Sequence, residues 1–278
     1  MSMETSESQQ TEAPFEIRPP VADRVPVLVS MPHTGVCVTP EVDASFADPV
    51  MSELPMTDWH LHHLYDFLPE LGITTIHAVY SRFMVDLNRS PTAAPLYPGR
   101  FETSLVPTET FHGEPIFQDP PNAEEIERRR KLYHAPYHAA LLRSLKDLRQ
   151  QFGRAVVVDL HSIASAANRL HDELQDDIYL GDRDGQTCGS WLRVTLEKAF
   201  TDQGLRVAIN APYKGGYITD HYGRVEDVEA IQIEMCQRVY MQEGRPDTAL
   251  GSPRFDAAQD MLRQVFVDLL AGFRARFG

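Results

Sequence analysis

Cysteine and long apolar sequence are both scarce in this chain of 278 residues. Cys37, Cys188 and Cys236 form no CxxC pair and no regular framework, which excludes a disulfide scaffold and fits a reducing cytoplasm. No secretory h-region and no apolar run of transmembrane length occurs, so no membrane partner is expected and the expected location is cytoplasmic. Basic side chains are in deficit: 26 Lys and Arg face 40 Asp and Glu, a net charge of −14. That deficit argues against a nucleic-acid or anionic-membrane surface. It leaves room for a small anionic substrate, which needs only a local cluster of arginines. No internal repeat and no linker-like stretch divides the interior. Residues 1–15, rich in Ser, Thr, Glu and Gln, read as a disordered tail, and 16–278 as a single α/β domain large enough for a sizeable core. No feature of the sequence specifies an oligomeric state.

What is present is a set of short apolar runs that end in polar groups. Val156, Val157 and Val158 open a strand buried on both faces, and the run ends in Asp159, Leu160, His161 and Ser162. Asp159 and His161 point to the same side of an extended chain, so the carboxylate can fix the tautomer of the imidazole. PVLVS (26–30) is a second such strand and runs into His33 and Gly35. ITTIHAVY (73–80) is a third, followed by Arg82, Asp86, Asn88 and Arg89, where an Asp can hold an arginine fork for a carboxylate. AIQIE (230–234) puts Ile231 and Ile233 on one face and Gln232 and Glu234 on the other, a costly placement unless the polar face meets a site. Polar groups at the carboxyl ends of buried strands lie where open α/β sheets place ligands. Each residue also has a plain structural reading: His33 as a loop histidine, Arg89 as an ordinary ion pair, Glu234 as the partner of an edge arginine.

Between the strands, Pro40 and Glu41 look like a helix start. Thr57–Leu71 has helical apolar spacing, with Thr57 or Asp58 as its N-cap and His60, His62 and His63 spread around its surface. Asp58 at the helix entrance reads equally as a cap or as a carboxylate facing a site. A long helix is expected from Asn122 to Phe152, capped by Asn122 with Glu125 and kinked or split in two at Pro136. Its His134 and His138 lie four apart on one face without the HExxH signature, so packing is preferred to metal binding. Further strands are expected over 177–180 and 207–210, and helices over 187–203 and 256–277. The glycine-rich, aromatic stretch 212–223 is a candidate lid. Alternating strands and helices predict a three-layer α/β/α fold with a largely parallel mixed sheet.

Seven blocks in order resemble one family: SMPHTG (30–35), TDWHLHHLY (57–65), SRFMVDLNR (81–89), YHAPYHAAL (133–141), VVDLHS (157–162), PYKGGYITDHYG (212–223) and IQIE (231–234). They are similar to the N-formylglutamate amidohydrolases of histidine degradation and, more remotely, to zinc carboxypeptidases and aspartoacylases. The resemblance implies a zinc-exopeptidase-like fold and hydrolysis of N-formyl-L-glutamate to glutamate and formate with a zinc-like divalent ion. It implies metal ligands at His33 and His161. The remote group's Glu, three residues after the first His, is here Val36, so Asp58 is taken as the third ligand with Glu41 as the fallback. It further implies Arg89 with Asn88 at a substrate carboxylate, Arg82 as helper, Tyr213, Gly215 and Gly216 at the substrate, and Glu234 as general base. Two other functions compete: a deacylase for another N-acyl amino acid, and a dicarboxylate-binding protein without turnover.

Overall fold

The computed structural model of the chain describes residues 13–92, 99 and 101–278. Seven strands form one mixed sheet: β1 (Phe15–Arg18), β2 (Val27–Met31), β3 (Thr74–Ala78), β4 (Ala155–Ile163), β5 (Ile178–Gly181), β6 (Val207–Ile209) and β7 (Val228–Cys236), in the order β1-β3-β2-β4-β7-β5-β6. The central four, β3, β2, β4 and β7, are parallel; β1 and the β5–β6 pair run the other way. Strand alternation divides the core. Val27, Val29, Met31, Val156, Val158, Leu160, Ile231 and Ile233 face one way, against α5 (Ser190–Asp202) and α7 (Pro253–Phe277). Leu28, Val157 and Ala230 face the other way, against α4 (Ala135–Phe152) and α6 (Tyr217–Tyr222). The result is the expected three layers. Every residue of β4 is buried, as its β-branched run requires.

Toward the carboxyl ends of the strands, the α4–α6 face changes from apolar to polar. The register pairs Ser30 with Asp159, Asp159 with Gln232 and His161 with Glu234. Because side chains alternate with period two, these groups share one face while Leu160 and Ile233 stay in the opposite core.

Several expectations are corrected. The tail expected over 1–15 falls mostly outside the described residues, but Phe15, assigned to it, is the first residue of β1. The single helix over 57–71 does not form. Only α2 (Leu61–Leu64) and a 3-10 turn (Leu68–Leu71) are helical, and Pro69 explains the break: it has no N–H to continue the ladder and disfavours helix in the residue before it. Neither Thr57 nor Asp58 caps α2, whose N-cap is His60 at φ 60°. His60 and His62 are not mainly surface residues: His60 Nε2 bonds the Pro246 carbonyl at 2.9 Å, and His62 Nδ1 the Thr34 hydroxyl at 2.8 Å. The long helix has the expected cap, Asn122 Oδ1 accepting from Glu125 N at 2.9 Å. It is divided into α3 (Ala123–Arg129), a π turn (Arg130–His134) and α4, with the irregular turn directly before Pro136.

Candidate metal centre and active site

The loop after β2 brings His33 inward, and the backbone N–H of Asp58 donates to the His33 carbonyl at 3.1 Å. This fixes the 57–59 segment beside the end of β2. β4 presents His161 from the neighbouring strand. Nδ1 of His33 and Nδ1 of His161 then lie 3.1 Å apart. Asp58 Oδ2 is 3.0 Å from the His161 nitrogen and 3.7 Å from the His33 nitrogen. All three side chains are buried. The expected trio therefore converges, whereas Glu41, the fallback, is exposed on α1 (Pro40–Asp43) and lines a different groove.

The far nitrogen of each imidazole is held by a buried carboxylate. His33 Nε2 is 2.6 Å from Asp86 Oδ1, and His161 Nε2 is 2.9 Å from Asp159 Oδ2. Asn88 joins the two arms: its backbone N–H donates to Asp86 Oδ1 at 2.8 Å, and its side-chain amide donates to Asp159 Oδ2 at 3.1 Å. The Asp159–His161 contact was expected from spacing. Asp86 was expected to hold an arginine fork, and that reading is corrected: its nearest partner is His33, and its closest approach to Arg89 is 4.0 Å.

Charge follows from these contacts. Burial pushes the Asp58 carboxyl upward, but Arg82, donating at 3.0 Å, and the two histidines overcome it and hold Asp58 well below the usual carboxylate range. Burial likewise raises Asp86, and His33 and Arg89 reverse the effect. Burial disfavours a charged His161, yet Asp159 and Asp58 outweigh it and raise its proton affinity well above that of a free imidazole. Glu234 is pushed up to about 8 by burial, against the pull of His161 and with the Asp58 charge adding to it.

The residues present fit a divalent cation. With the Nε2 protons directed at Asp86 and Asp159, the Asn88 amide nitrogen also lying 2.9 Å from His161 Nε2, neutral imidazoles would face each other through two Nδ1 lone pairs, with Asp58 Oδ2 as a third donor. Two nitrogens and one carboxylate oxygen, with the imidazoles oriented by carboxylates, form a donor set typical of zinc sites with an open position.

A cleft opens over this cluster. Every expected substrate residue lines it: Arg82, Asn88, Arg89, Tyr213, Gly215 and Gly216, together with Glu234. The two arginines differ. Arg89 donates to neutral acceptors, the Thr103 carbonyl and hydroxyl and the Asn88 carbonyl, at 2.9 to 3.0 Å, and its carboxylate neighbour Asp86 stands at 4.0 Å. Arg82, expected as its helper, is committed to Asp58 and lies over the Phe111 ring. The 212–223 stretch, expected as a lid, is built into the wall. Gly216 N–H donates to Gln232 Oε1 at 2.7 Å, Ile218 N–H donates to Asn88 Oδ1 at 2.8 Å, and Ile218, Thr219 and Tyr222 are buried. A Cβ on Gly216 would sit 2.3 Å from the Asn88 amide, so only glycine permits this approach. The Tyr213 hydroxyl is buried and has no hydrogen-bond partner among the described residues.

Buried carboxyls and imidazoles gathered under a cleft at the carboxyl ends of parallel strands place the chain among α/β enzymes of hydrolytic type. The family model for N-formylglutamate amidohydrolase matches residues 25–241, and the chain belongs to that family. N-formylglutamate deformylase of Pseudomonas aeruginosa is 39% identical over 258 residues, covering 91% of this chain and 96% of that protein. The deformylase of Pseudomonas putida is 39% identical over 261 residues, with the same coverage. The crystal structure of N-formylglutamate amidohydrolase from Ralstonia eutropha JMP134 superposes with a TM-score of 0.79 at 28% identity, covering 95% of this chain and 98% of that one. A protein of Agrobacterium tumefaciens shares the fold, with a TM-score of 0.72 at 18% identity, covering 94% and 96% of the two chains.

Proposed function

We propose that this chain hydrolyses N-formyl-L-glutamate to L-glutamate and formate, a step of histidine degradation. The observation that carries the reading is the convergence of His33, Asp58 and His161 on one point beside the buried Glu234, in a chain of this family. His33, Asp58 and His161 would hold the divalent ion, with zinc best matched to two imidazole nitrogens and a carboxylate. When bound, such an ion lowers the pKa of a water and polarises the acyl oxygen. Glu234 accepts a proton from the attacking water and returns it to the leaving amine of glutamate. A carboxyl raised to about 8 has the basicity for that transfer, and a nearby cation favours its ionised form. Arg89 receives a substrate carboxylate through its planar fork, so Arg89→Lys raises KM about tenfold or more although the charge is kept. Tyr213 offers a hydroxyl to the bound substrate, and Gly215 and Gly216 keep the wall backbone close to it.

The test is release of the free amino acid by the zinc-loaded protein across formyl, acetyl and succinyl derivatives of glutamate, aspartate and neutral amino acids, with formate measured for the formyl set. N-formyl-L-glutamate is expected to have the highest kcat/KM. A better acetyl or succinyl substrate would make the chain a different deacylase, and binding without release would make it a dicarboxylate-binding protein.

A further inference from the structure

His134 and His138 are not among the cleft's lining residues, yet both reach the 86–89 loop, whose Asn88 and Arg89 line it. His134 Nε2 is 2.9 Å from the Arg89 carbonyl, and His138 Nε2 is 2.8 Å from the Leu87 carbonyl. A carbonyl only accepts, so each Nε2 carries the proton. On its other side, His138 Nδ1 is 2.9 Å from the Tyr222 hydroxyl of α6, which also donates to the His138 carbonyl at 3.1 Å. The two imidazoles lie 4.2 Å apart, centroid to centroid, and His138 stacks on Tyr222 at 5.9 Å. The carbonyls they hold flank Asn88 on either side. From α6, Ile218 N–H donates to Asn88 Oδ1. The 86–89 loop is thus clamped between α4 and α6, and it has no regular secondary structure of its own. Everything the loop supplies depends on its position to within a fraction of an ångström: Asp86 to His33, Asn88 to Asp159, and the Arg89 guanidinium to the cleft.

We propose that His134 and His138 are positioning residues, which act through the carbonyls of Arg89 and Leu87 to hold Asp86, Asn88 and Arg89 in register with the His33–Asp58–His161 cluster. The catalytic consequence rests on the function proposed above. The clamp itself is read without it, from loop motion. Pro136 and the π turn before it belong to the same device, because they set the helical register from which both imidazoles reach the loop.

The experiment compares His→Phe and His→Gln at each position in the full chain loaded with zinc. Phe keeps a flat ring and removes the donor; Gln places an amide N–H near the lost Nε2. His138→Phe is expected to lower kcat/KM for N-formyl-L-glutamate about 10- to 100-fold, the range for lost outer contacts at such sites, with part of the loss in KM through Arg89. His138→Gln recovers most of that loss, and the His134 pair behaves alike. Hydrogen exchange gives the second readout. The amides of Asp86, Asn88 and Arg89, protected by the Leu105 carbonyl, the Asp86 carboxylate and the Asp86 carbonyl, exchange faster in the Phe variants and near the wild-type rate in the Gln variants. Should His138→Phe fail to fold, the His134 pair carries the same comparison. Phe variants with wild-type kinetics and exchange overturn the proposal, as do Gln variants as impaired as the Phe ones, since packing would then be the whole effect. If the wild type releases no formate, the proposed function fails while the exchange rates still judge the clamp.

Discussion

Two pairs of enclosed histidines contact the 86–89 loop, and their chemistry is opposite. His33 and His161 turn Nε2 toward carboxylates and Nδ1 toward each other and Asp58. His134 and His138 turn Nε2 toward backbone carbonyls, and His138 turns Nδ1 toward a tyrosine hydroxyl. In the first pair, Asp159 and Asp58 overcome burial and raise the proton affinity of His161. In the second, no carboxylate contacts the imidazoles among the described residues, and burial holds His138 down to about 3, with His134 adding to the effect. Burial alone makes an imidazole a neutral hydrogen-bonding part. Buried carboxylates at both nitrogens make it a receptor for positive charge, whether a proton or a metal ion.

The largest expected effect breaks the first pair. His161→Ala or His33→Ala removes one of three converging donors, so zinc measured after dialysis falls well below one ion per chain and formate release is abolished. His138→Ala keeps its zinc. Stoichiometric zinc in both His33→Ala and His161→Ala would mean that the cluster is no metal centre. Next in size is Glu234→Gln, which preserves volume and can still bond Gln232 but cannot accept a proton. Zinc and product binding are expected to persist while kcat falls at least about a hundredfold. Turnover near the wild-type rate would assign the base to another group. Smaller again is Asp86→Asn, which keeps the shape of the His33 contact and removes its charge. Zinc affinity is expected to weaken about 10- to 100-fold, read by competition with a chelator. Unchanged affinity would reduce Asp86 to a loop anchor.

The contrast between the pairs also explains what could be read from the sequence. β4 and β7 were legible because β-branched runs, strand period and a two-residue spacing are local signals: Asp159 with His161, and Gln232 with Glu234 against Ile231 and Ile233. For His134 and His138 the absence of a ligand signature at that spacing favours core or loop contacts over metal binding, but the carbonyls of Arg89 and Leu87 that they meet could not be read from it. The contact of Asp86 with His33 was not, because the partners are 53 residues apart and only the sheet order brings their loops together. The 57–71 segment misled for the opposite reason. Leu61, Leu64, Tyr65 and Leu68 are buried as their spacing implies, but Pro69 and the inward turn at Asp58 break the helix that the same spacing predicts. The division of labour between Arg82 and Arg89 was equally hidden, since it depends on which of them meets Asp58.

The smallest expected effect sharpens the comparison through pH. His138 is neutral in the folded chain down to about pH 3, whereas an exposed histidine in the unfolded chain takes a proton near 6.5. Between those values the unfolded state binds the extra proton, so this group's contribution to stability is full above about pH 6.5 and is lost as the pH falls toward 3. Other groups near His138 bear on the same window. His134 and His221 oppose its protonation, the Leu87 carbonyl favours it, and Tyr222 does not ionise there. His161 works in the other direction, since its raised proton affinity gains stability as the pH falls. A pH profile of the wild type alone therefore mixes the two pairs, and the difference between wild type and His138→Gln isolates one of them. Gln retains a donor for the Leu87 carbonyl and has no proton to gain. Urea unfolding at pH 8 and pH 5 is expected to show the wild type losing about 1–2 kcal/mol relative to His138→Gln on going to the lower pH. An equal difference at both pH values would mean that His138 takes its proton as readily in the folded chain as in the unfolded one. The contrast with His161 would then have to rest on geometry alone.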